Sequence, residues 1–346
     1  MGKIKISWIV FLTGGLFGIL FAFLISLGNP PNMGVCGICF IRDIAGALGL
    51  HHMEKLSYIR PEILGFILGA FIIGIFTKEF KVIGGSSPII RFTISFFVAM
   101  GALVFLGCPI RMLGRLAGGD WTALAGLLGF IVGIWIGALF LKGGFTLGKA
   151  QEVSKINGFI IPVIALCLFI LLLVKPSFIV LTSKGHAPVL ISIIAGLLVG
   201  IFAQRSRLCF AGGIRDIFLM KDFHLFSGIL GFFLFCLLGN LLLGQFKPGV
   251  SPGVHTNYIA SFLGMLLVGW GSVLIGGCPF RQTILAGYGN TDSGISFLGM
   301  IAGVAVAHNF MIAGSATGVL SNGIIAMIIG IVVFFVIGFT NKVVSS

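Results

Sequence analysis

The stretch Gly107-Cys108-Pro109-Ile110-Arg111 decides the fold class, because it occurs again 170 residues later as Gly277-Cys278-Pro279-Phe280-Arg281. Each copy stands at the end of a long apolar run. Proline ends the helix before it and is favoured at the first position of a new helix. The motif therefore predicts that a helix breaks at each cysteine and that a short second helix begins there, with Arg111 and Arg281 in its first turn.

A second pair of segments repeats with an offset of 173 residues. Cys36 stands six residues before Arg42-Asp43, and Cys209 stands six residues before Arg215-Asp216. The two halves of the chain thus carry the same motifs in the same order, which predicts an internal duplication. Interrupted apolar segments at matching places of two repeats indicate a transporter with its site at the repeat interface.

The composition is that of a membrane protein. Of the 346 residues, 58% are hydrophobic and 9% are charged, and the mean hydropathy is +1.18. A soluble domain has about 25% charged residues. Apolar stretches of about 20 residues are long enough to cross a bilayer, and they predict helices near 6–27, 61–76, 92–107, 121–141, 158–174, 187–204, 225–244, 258–276, 294–312 and 320–340.

We expect an all-α polytopic membrane protein, with a first repeat at 1–150, a connecting segment and helix at 151–186, and a second repeat at 187–346. No stretch has the composition of a soluble domain, so an attached ATPase domain is not expected. The 22 basic and 9 acidic residues give a net charge of +13. Short cytoplasmic loops account for part of this charge. The basic residues form no solvated face, so a nucleic-acid partner is not expected.

Re-entrant half-helices would create a site for an anion around a central path. A helix N-terminus presents free N–H groups and the positive end of the dipole. Irregular backbone at membrane depth needs protein or a water-filled cavity around it. Glycines at 34–37 and at Gly212-Gly213 predict two further interruptions. We expect the four interrupted segments to converge on a path lined by Cys36, Cys108, Cys209, Cys278, Arg111 and Arg281.

The charged residues of these segments each have two interpretations. Ionisable residues within a membrane are functional candidates, but Arg42-Asp43 and Arg215-Asp216 are also typical of ion pairs that lock a re-entrant segment. Arg111 and Arg281 either face an anion or extend to the membrane interface. Their position three residues after each capping cysteine favours the anion.

Cysteine at the capping positions favours a soft substrate. A hydroxyl or an amide binds a hard oxyanion at least as well, whereas a polarizable thiol suits sulfur or selenium. Weak S–H contacts also release an ion readily, which conduction along a path requires. Covalent persulfide or selenosulfide chemistry ranks below this non-covalent passage. The predicted substrate is therefore a small inorganic selenium or sulfur anion.

Three further residues are possible members of the site. Cys36 and Cys39 form a Cys-x-x-Cys pair, which is typical of redox and metal sites. The second half has Gly212 at the position of Cys39, and a zinc site needs two more ligands. We expect no metal and no cofactor. His308 and Asn309 either line the path or form a hydrogen bond between helices.

Both Cys-Pro-x-Arg motifs, with Ala117-Gly118-Gly119-Asp120 after the first and Leu285-Ala286-Gly287 after the second, resemble the YeeE/YedE sulfur-transport family. The resemblance spans nearly the whole chain. Four shorter stretches are most similar to the YedE-type selenium transporters of this family: 204–210, 212–216, 244–247 and 307–310.

This resemblance implies an inner-membrane, multi-pass protein surrounded by lipid, with a cysteine-lined path. It implies that Cys108, Cys209 and Cys278 are path cysteines, and internal symmetry adds Cys36. Characterised relatives take up thiosulfate and are linked with small cytoplasmic sulfur-carrier proteins of the TusA type.

The sequence thus predicts a transporter, not an enzyme, that takes up a selenium-containing or related sulfur-containing anion. Thiosulfate uptake is the alternative within transport. A membrane thiol-disulfide oxidoreductase that uses Cys36 and Cys39 is an alternative of another class, although it leaves the repeated Cys-Pro-x-Arg motif unexplained. A transporter for soft-metal cations is disfavoured, because the neighbouring arginines would repel a cation.

Overall fold

The computed structural model describes residues 7–182 and 185–342. In these residues the regular secondary structure is α-helical apart from a 3-10 turn at Glu54–Leu56 and two paired antiparallel strands, β1 (Ile83–Gly84) and β2 (Gln151–Glu152). The long helices are α1 (Trp8–Ser26), α3 (Pro61–Phe76), α4 (Pro88–Phe105), α6 (Ala123–Lys142), α7 (Lys155–Val174), α8 (Val189–Ser206), α10 (Phe226–Leu242), α11 (Tyr258–Leu274), α13 (Thr291–Asn309) and α14 (Ser321–Thr340). The short helices are α2 (Gly37–Ala47), α5 (Pro109–Ala117), α9 (Phe210–Met220) and α12 (Pro279–Gly287).

The long helices confirm the ten predicted apolar segments, with ends that differ by at most four residues; residue 6 lies outside the described part of the chain. Seven helical stretches in that part are long and apolar enough to cross a membrane, and α3 and α10 are shorter apolar helices. Three of the seven stretches join a long helix to the short helix after it, namely α4 to α5, α8 to α9 and α11 to α12. The protein is therefore an all-α polytopic membrane protein.

The backbone breaks at both Cys-Pro motifs, as predicted. Leu106 and Gly276 have left-handed backbone conformations, with φ of 66° and 83°, and these turn the chain away from α4 and α11. Cys108 and Cys278 follow as the N-cap residues of α5 and α12, and each of these helices has proline in its first turn. Proline lacks the N–H that would continue the preceding helix. Two nine-residue helices result.

The prediction that Gly212-Gly213 interrupts a helix is wrong. Both glycines lie in the first turn of α9, and the break comes earlier, at Arg207, where φ is 56°. A Cβ atom added at Gly213 would lie 2.8 Å from Ile229 Cδ1 and 3.0 Å from the backbone nitrogen of Phe226. The missing side chain therefore permits close packing of α9 on α10.

The long helices pack in pairs that each combine one helix from the first half with one from the second, which we call exchanged pairs. Helix α1 packs on α10, α3 on α8, α4 on α13, and α6 on α11. Each pair combines one helix from before residue 175 with one from after residue 188. Glycine permits these close approaches: a Cβ atom at Gly65 would lie 2.6 Å from Gly196 Cα, and one at Gly133 would lie 2.1 Å from the carbonyl oxygen of Leu266. The two halves of the chain are interleaved.

Candidate functional site

The first half of the chain contains two facing thiols, from Cys36 and Cys108. Cys36 is the N-cap of α2, and its Sγ accepts a hydrogen bond from the backbone N–H of Cys39 at 3.3 Å. Cys108 is the N-cap of α5, and its Sγ accepts from the N–H of Gly37 at 3.2 Å. The two sulfur atoms are 3.6 Å apart. Both cysteines are buried, so two helix N-termini meet at one thiol pair.

The second half contains a similar pair, from Cys209 and Cys278. Their sulfur atoms are 3.9 Å apart, and Cys209 Sγ accepts from the N–H of Gly212 at 3.2 Å. The backbone of Cys209 (φ −149°, ψ 120°) is close to that of Cys36 (φ −145°, ψ 122°). The second thiol pair therefore has the local geometry of the first, although glycine stands where the first half has Cys39.

The two thiol pairs lie next to each other across the two halves. Helix α2 packs against α12. A Cβ atom added at Gly37 would lie 3.6 Å from the backbone nitrogen of Phe280 and 3.7 Å from Cys108 Sγ. The N-terminus of α2 thus faces the N-terminus of α12. Because helix N-termini carry partial positive charge, the space between them favours an anion.

Arg111 is a buried cation beside the first thiol pair. Its side chain donates hydrogen bonds to the carbonyl oxygens of Leu106 and, at 3.3 Å, of Asn32. One guanidinium nitrogen is 3.6 Å from Cys39 Sγ. No carboxylate pairs with Arg111 in the described residues.

Arg281 is the corresponding cation beside the second thiol pair. It is 9% exposed and donates to the carbonyl oxygen of Ala203 at 3.3 Å and to Gln204 Oε1 at 3.1 Å. Like Arg111, it pairs with no carboxylate in the described part of the chain. Both side chains are buried within the protein, which favours the anion over extension to the membrane interface. A buried charge is costly unless an opposite charge compensates it, so both positions favour an anion.

Asp43 is the centre of a buried polar network that fixes α2. Its Oδ1 is 2.6 Å from Arg42 Nη2, and its Oδ2 is 2.7 Å from Arg60 Nε. Arg60 also donates to Asn29 Oδ1 at 3.3 Å, and Asn29 Nδ2 donates to Glu62 Oε1 at 2.8 Å. Two cations thus share one carboxylate, and α2 is tied to the start of α3. The geometry is that of buried ion pairs that hold α2 in place.

Arg60, Asn29 and Glu62 are members of this network that sequence reasoning missed. The signal available was Arg60-Pro61-Glu62, a charged pair around a proline at the first position of an apolar helix. Such a pattern is also typical of a solvated loop end. Gln204, the partner of Arg281, lies in one of the YedE-like stretches, and nothing in its sequence position indicates this contact.

Arg215 and Asp216 form the matching ion pair of the second half, but it is less enclosed. The closest distance between the charged groups is 2.7 Å, and the side chain of Arg215 is 25% exposed. Asp216 has no second cation within ion-pair distance among the described residues. The two Arg-Asp motifs therefore have different surroundings despite their similar sequences.

The three possible site residues lie in different surroundings. Cys39 is buried, with its thiol near Arg111. The ring of His308 packs on the ring of His51, with centroids 4.7 Å apart. Asn309 donates to the carbonyl oxygen of Leu50 at 2.9 Å, so its hydrogen bond reaches a loop and not another long helix.

A cavity of about 940 Å³ lies beside the first thiol pair. Arg42 and Arg111 line it, together with His255, His308 and Asn257. The described residues contribute no aspartate or glutamate to its wall. Arg111 lies between this cavity and the Cys39 thiol, because it lines the cavity and is 3.6 Å from that sulfur atom. Within the described residues, no group of three or more histidine, cysteine or acidic side chains is arranged to bind a metal ion.

These features define a multi-pass α-helical membrane protein with buried thiols at the junction of its halves, beside two arginines that no described carboxylate compensates. Residues 205–339 match the family model described as "Sulphur transport". The resemblance to the YeeE/YedE sulfur-transport family is thereby confirmed for these residues.

Two curated relatives are similar to parts of the chain, and both are named thiosulfate transporter TsuA. The protein of Spirochaeta thermophila is 36% identical over 106 residues, which cover 29% of this chain and 31% of the relative. The protein of Escherichia coli K12 is 30% identical over 116 residues, which cover 31% of each. The chain thus spans about a third of the length of the relatives it matches. Both names refer to thiosulfate, and neither refers to selenium or to a redox enzyme.

Proposed function

We propose that the chain is an inner-membrane transporter that takes up thiosulfate through the thiol-lined path. The observation that carries this proposal is the pair of buried arginines, Arg111 and Arg281, that have no carboxylate partner in the described residues. Each follows a thiol by three residues at the start of a short helix. A cation carrier would place carboxylates or thiolates there without arginine.

Thiosulfate matches the two kinds of group at the site. Its sulfonate oxygens accept hydrogen bonds from guanidinium and from backbone N–H groups. Its terminal sulfur is soft and polarizable, as are the thiols of Cys36, Cys108, Cys209 and Cys278. Thiols bind this sulfur weakly, so the ion can pass from the first thiol pair to the second.

The electropositive cavity beside Arg42 and Arg111 serves as the entrance or exit on one side of the path. Charged walls of one sign raise the local concentration of the opposite ion. We expect a small cytoplasmic carrier protein of the TusA type to accept the delivered sulfur. A selenium anion is the second candidate, and it rests on the YedE-type stretches of the sequence.

Competitive uptake tests this function. Cells that lack their own importers receive the wild type, Cys278→Ala or Cys167→Ala, and the uptake of radiolabelled thiosulfate and selenite is measured. Cys167 is exposed on α7, so Cys167→Ala is the matched control. We expect thiosulfate uptake in the wild type and control and at least a tenfold loss in Cys278→Ala. Uptake of selenite alone would favour the selenium anion, and uptake of neither ion would refute transport of either.

A double change separates transport from redox chemistry. An oxidoreductase would lose activity with Cys36→Ser/Cys39→Ser and tolerate Arg281→Gln. The proposed transporter is sensitive to Arg281→Gln, because that change removes a cation from the path.

A further inference from the structure

An apolar groove of about 750 Å³ lies away from the thiols, between α6 and α10. Helices α5 and α9 form its floor, and its wall runs along α10 from Phe226 to Leu237 and ends near Trp121 and Phe246. Helix α10 has 17 residues, or about 25 Å at 1.5 Å per residue. The part of α10 that lines the groove, residues 226–237, is about 18 Å long at 1.5 Å per residue, which is more than half of a bilayer core of about 30 Å.

The corresponding groove of the other half is filled by α7. The repeated motifs relate α5, α6 and α10 to α12, α13 and α3, and α7 packs on all three of the latter. The ring of Phe159 on α7 lies 5.6 Å from the ring of Phe71 on α3. A Cβ atom at Gly294 on α13 would lie 3.3 Å from Ile161 of α7. Leu124, which stands 170 residues before Gly294, lines the open groove. An apolar helix is thus the natural occupant of such a groove.

The sequence identifies α14 as the counterpart of α7. Asn157-Gly158 near the start of α7 corresponds to Asn322-Gly323 near the start of α14, and each helix has 20 residues. Yet α14 packs on α4 and α11 of its own chain. Its outer face is an uncharged stripe of exposed residues, namely Ile325, Ile329, Val332 and Val336. No described helix of the same chain covers the groove.

Helix α6 connects the groove to α14. Phe140 near the end of α6 packs on Phe339 of α14, with ring centroids 5.3 Å apart. Leu127 and Ile131 of α6 line the groove. Ile131 and Phe140 are nine residues apart and point to opposite sides of α6, so the groove and α14 lie on the two flanks of this helix. A two-fold axis beside α6 would bring each α14 onto the groove of the other copy, which is the self-complementary arrangement of a cyclic dimer.

We propose that the groove binds α14 of a second copy of this chain, and that the protein is a symmetric dimer in the membrane. The contact is apolar, and close packing of side chains stabilises it. A 20-residue helix is about 30 Å long, so α14 spans the whole groove.

Site-specific cross-linking in lipid nanodiscs tests the contact. A photoreactive phenylalanine analogue replaces Leu230, an exposed residue of the groove wall, in the full-length protein. We expect a cross-linked dimer whose adduct maps to residues 321–340. The same analogue at Ile164, exposed on the outer face of α7, is the matched control and is expected to give no dimer.

A second experiment dilutes the protein in the lipid of liposomes and measures the fraction of dimers by single-molecule photobleaching. Ile329→Trp on the outer face of α14 is expected to weaken dimerisation at least tenfold, and Ile164→Trp is expected to leave it unchanged. Thermal unfolding in detergent checks that both variants fold. A wild type that is monomeric at every density overturns the proposal, as does cross-linking of Leu230 only to lipid or to another protein.

Discussion

Arg281 is enclosed at the second thiol pair, and the groups that accept its hydrogen bonds there are neutral oxygens of Ala203 and Gln204. A buried guanidinium stabilises an anion more strongly than a solvent-exposed guanidinium does, because water does not screen its charge. We predict that Arg281→Gln lowers thiosulfate uptake at least tenfold in the cell assay.

The matched control for this change is Arg205→Gln. Arg205 is close in sequence to the same segment, but it lies at the surface, where it pairs with Glu79 at 3.2 Å and both side chains are more than half exposed. Exposed pairs contribute little, so uptake should stay near the wild-type value. Equal uptake by Arg281→Gln and Arg205→Gln would contradict an anion-binding role of Arg281.

Asp43 compensates two buried cations, Arg42 and Arg60. Removing one partner of a buried ion pair leaves an uncompensated charge and costs about 3–5 kcal/mol. We therefore predict that Asp43→Asn lowers the free energy of unfolding by about that amount, measured by thermal or denaturant unfolding in detergent. Asp216→Asn is the matched control, because Arg215, the partner of Asp216, is partly solvated. The free energy of unfolding should fall clearly less in this variant than in Asp43→Asn.

At the scale of helices, close contacts depend on glycine where two long helices cross. A Cβ atom at Gly196 on α8 would lie 2.5 Å from the carbonyl oxygen of Glu62 on α3. Backbone atoms cannot rotate away, so Gly196→Ala must separate the helices. Overpacking costs about 1–3 kcal/mol, and we predict a loss of this size in unfolding experiments.

Gly143→Ala is the control for the helix contact. Its added Cβ would lie 3.4 Å from the carbonyl oxygen of Leu139, which is an ordinary contact, and its φ is −78°. We expect a change within about 0.5 kcal/mol, as for most surface substitutions. If both variants unfold alike, close helix approach at Gly196 is not what stabilises the α3–α8 pair.

The sequence predicts the helices better than it predicts their contacts. Length and apolar composition locate the ten long helices, and the Cys-Pro dipeptides locate the starts of α5 and α12, because proline acts locally. Gly212-Gly213 led to a wrong prediction of a helix break, because glycine is found both at breaks and where two helices pack closely. The sequence alone does not show that α10 lies against these glycines. Arg60 lies 17 residues from Asp43, and Gln204 lies 77 residues from Arg281. Pairs so distant leave no local pattern.

At the scale of the whole molecule, the duplication stays a prediction that several features support. The equal lengths of α5 and α12, the matching backbone of Cys36 and Cys209, and the exchanged helix pairs all agree with it. The exchange also makes each half dependent on the other, since α1, α3, α4 and α6 have their main partners after residue 188.

We predict that residues 1–182 expressed alone do not accumulate, because four long helices lack their packing partners. Co-expression with residues 183–346 should restore both halves, and their co-purification by a tag on one fragment measures this. A stable first fragment that binds no second fragment would contradict the dependence.

The exchanged pairs also set the order of events during synthesis. The last of the four partner helices, α13, ends 135 residues after α7, and at about 5–20 residues per second its synthesis follows on the order of 10–30 s later. During that interval α3, α1, α6 and α4 gain their partners one after another, as α8, α10, α11 and α13 are made, and α4 waits longest. Membrane insertases and proteases therefore first encounter the helices of the first half before all of their packing partners have been made.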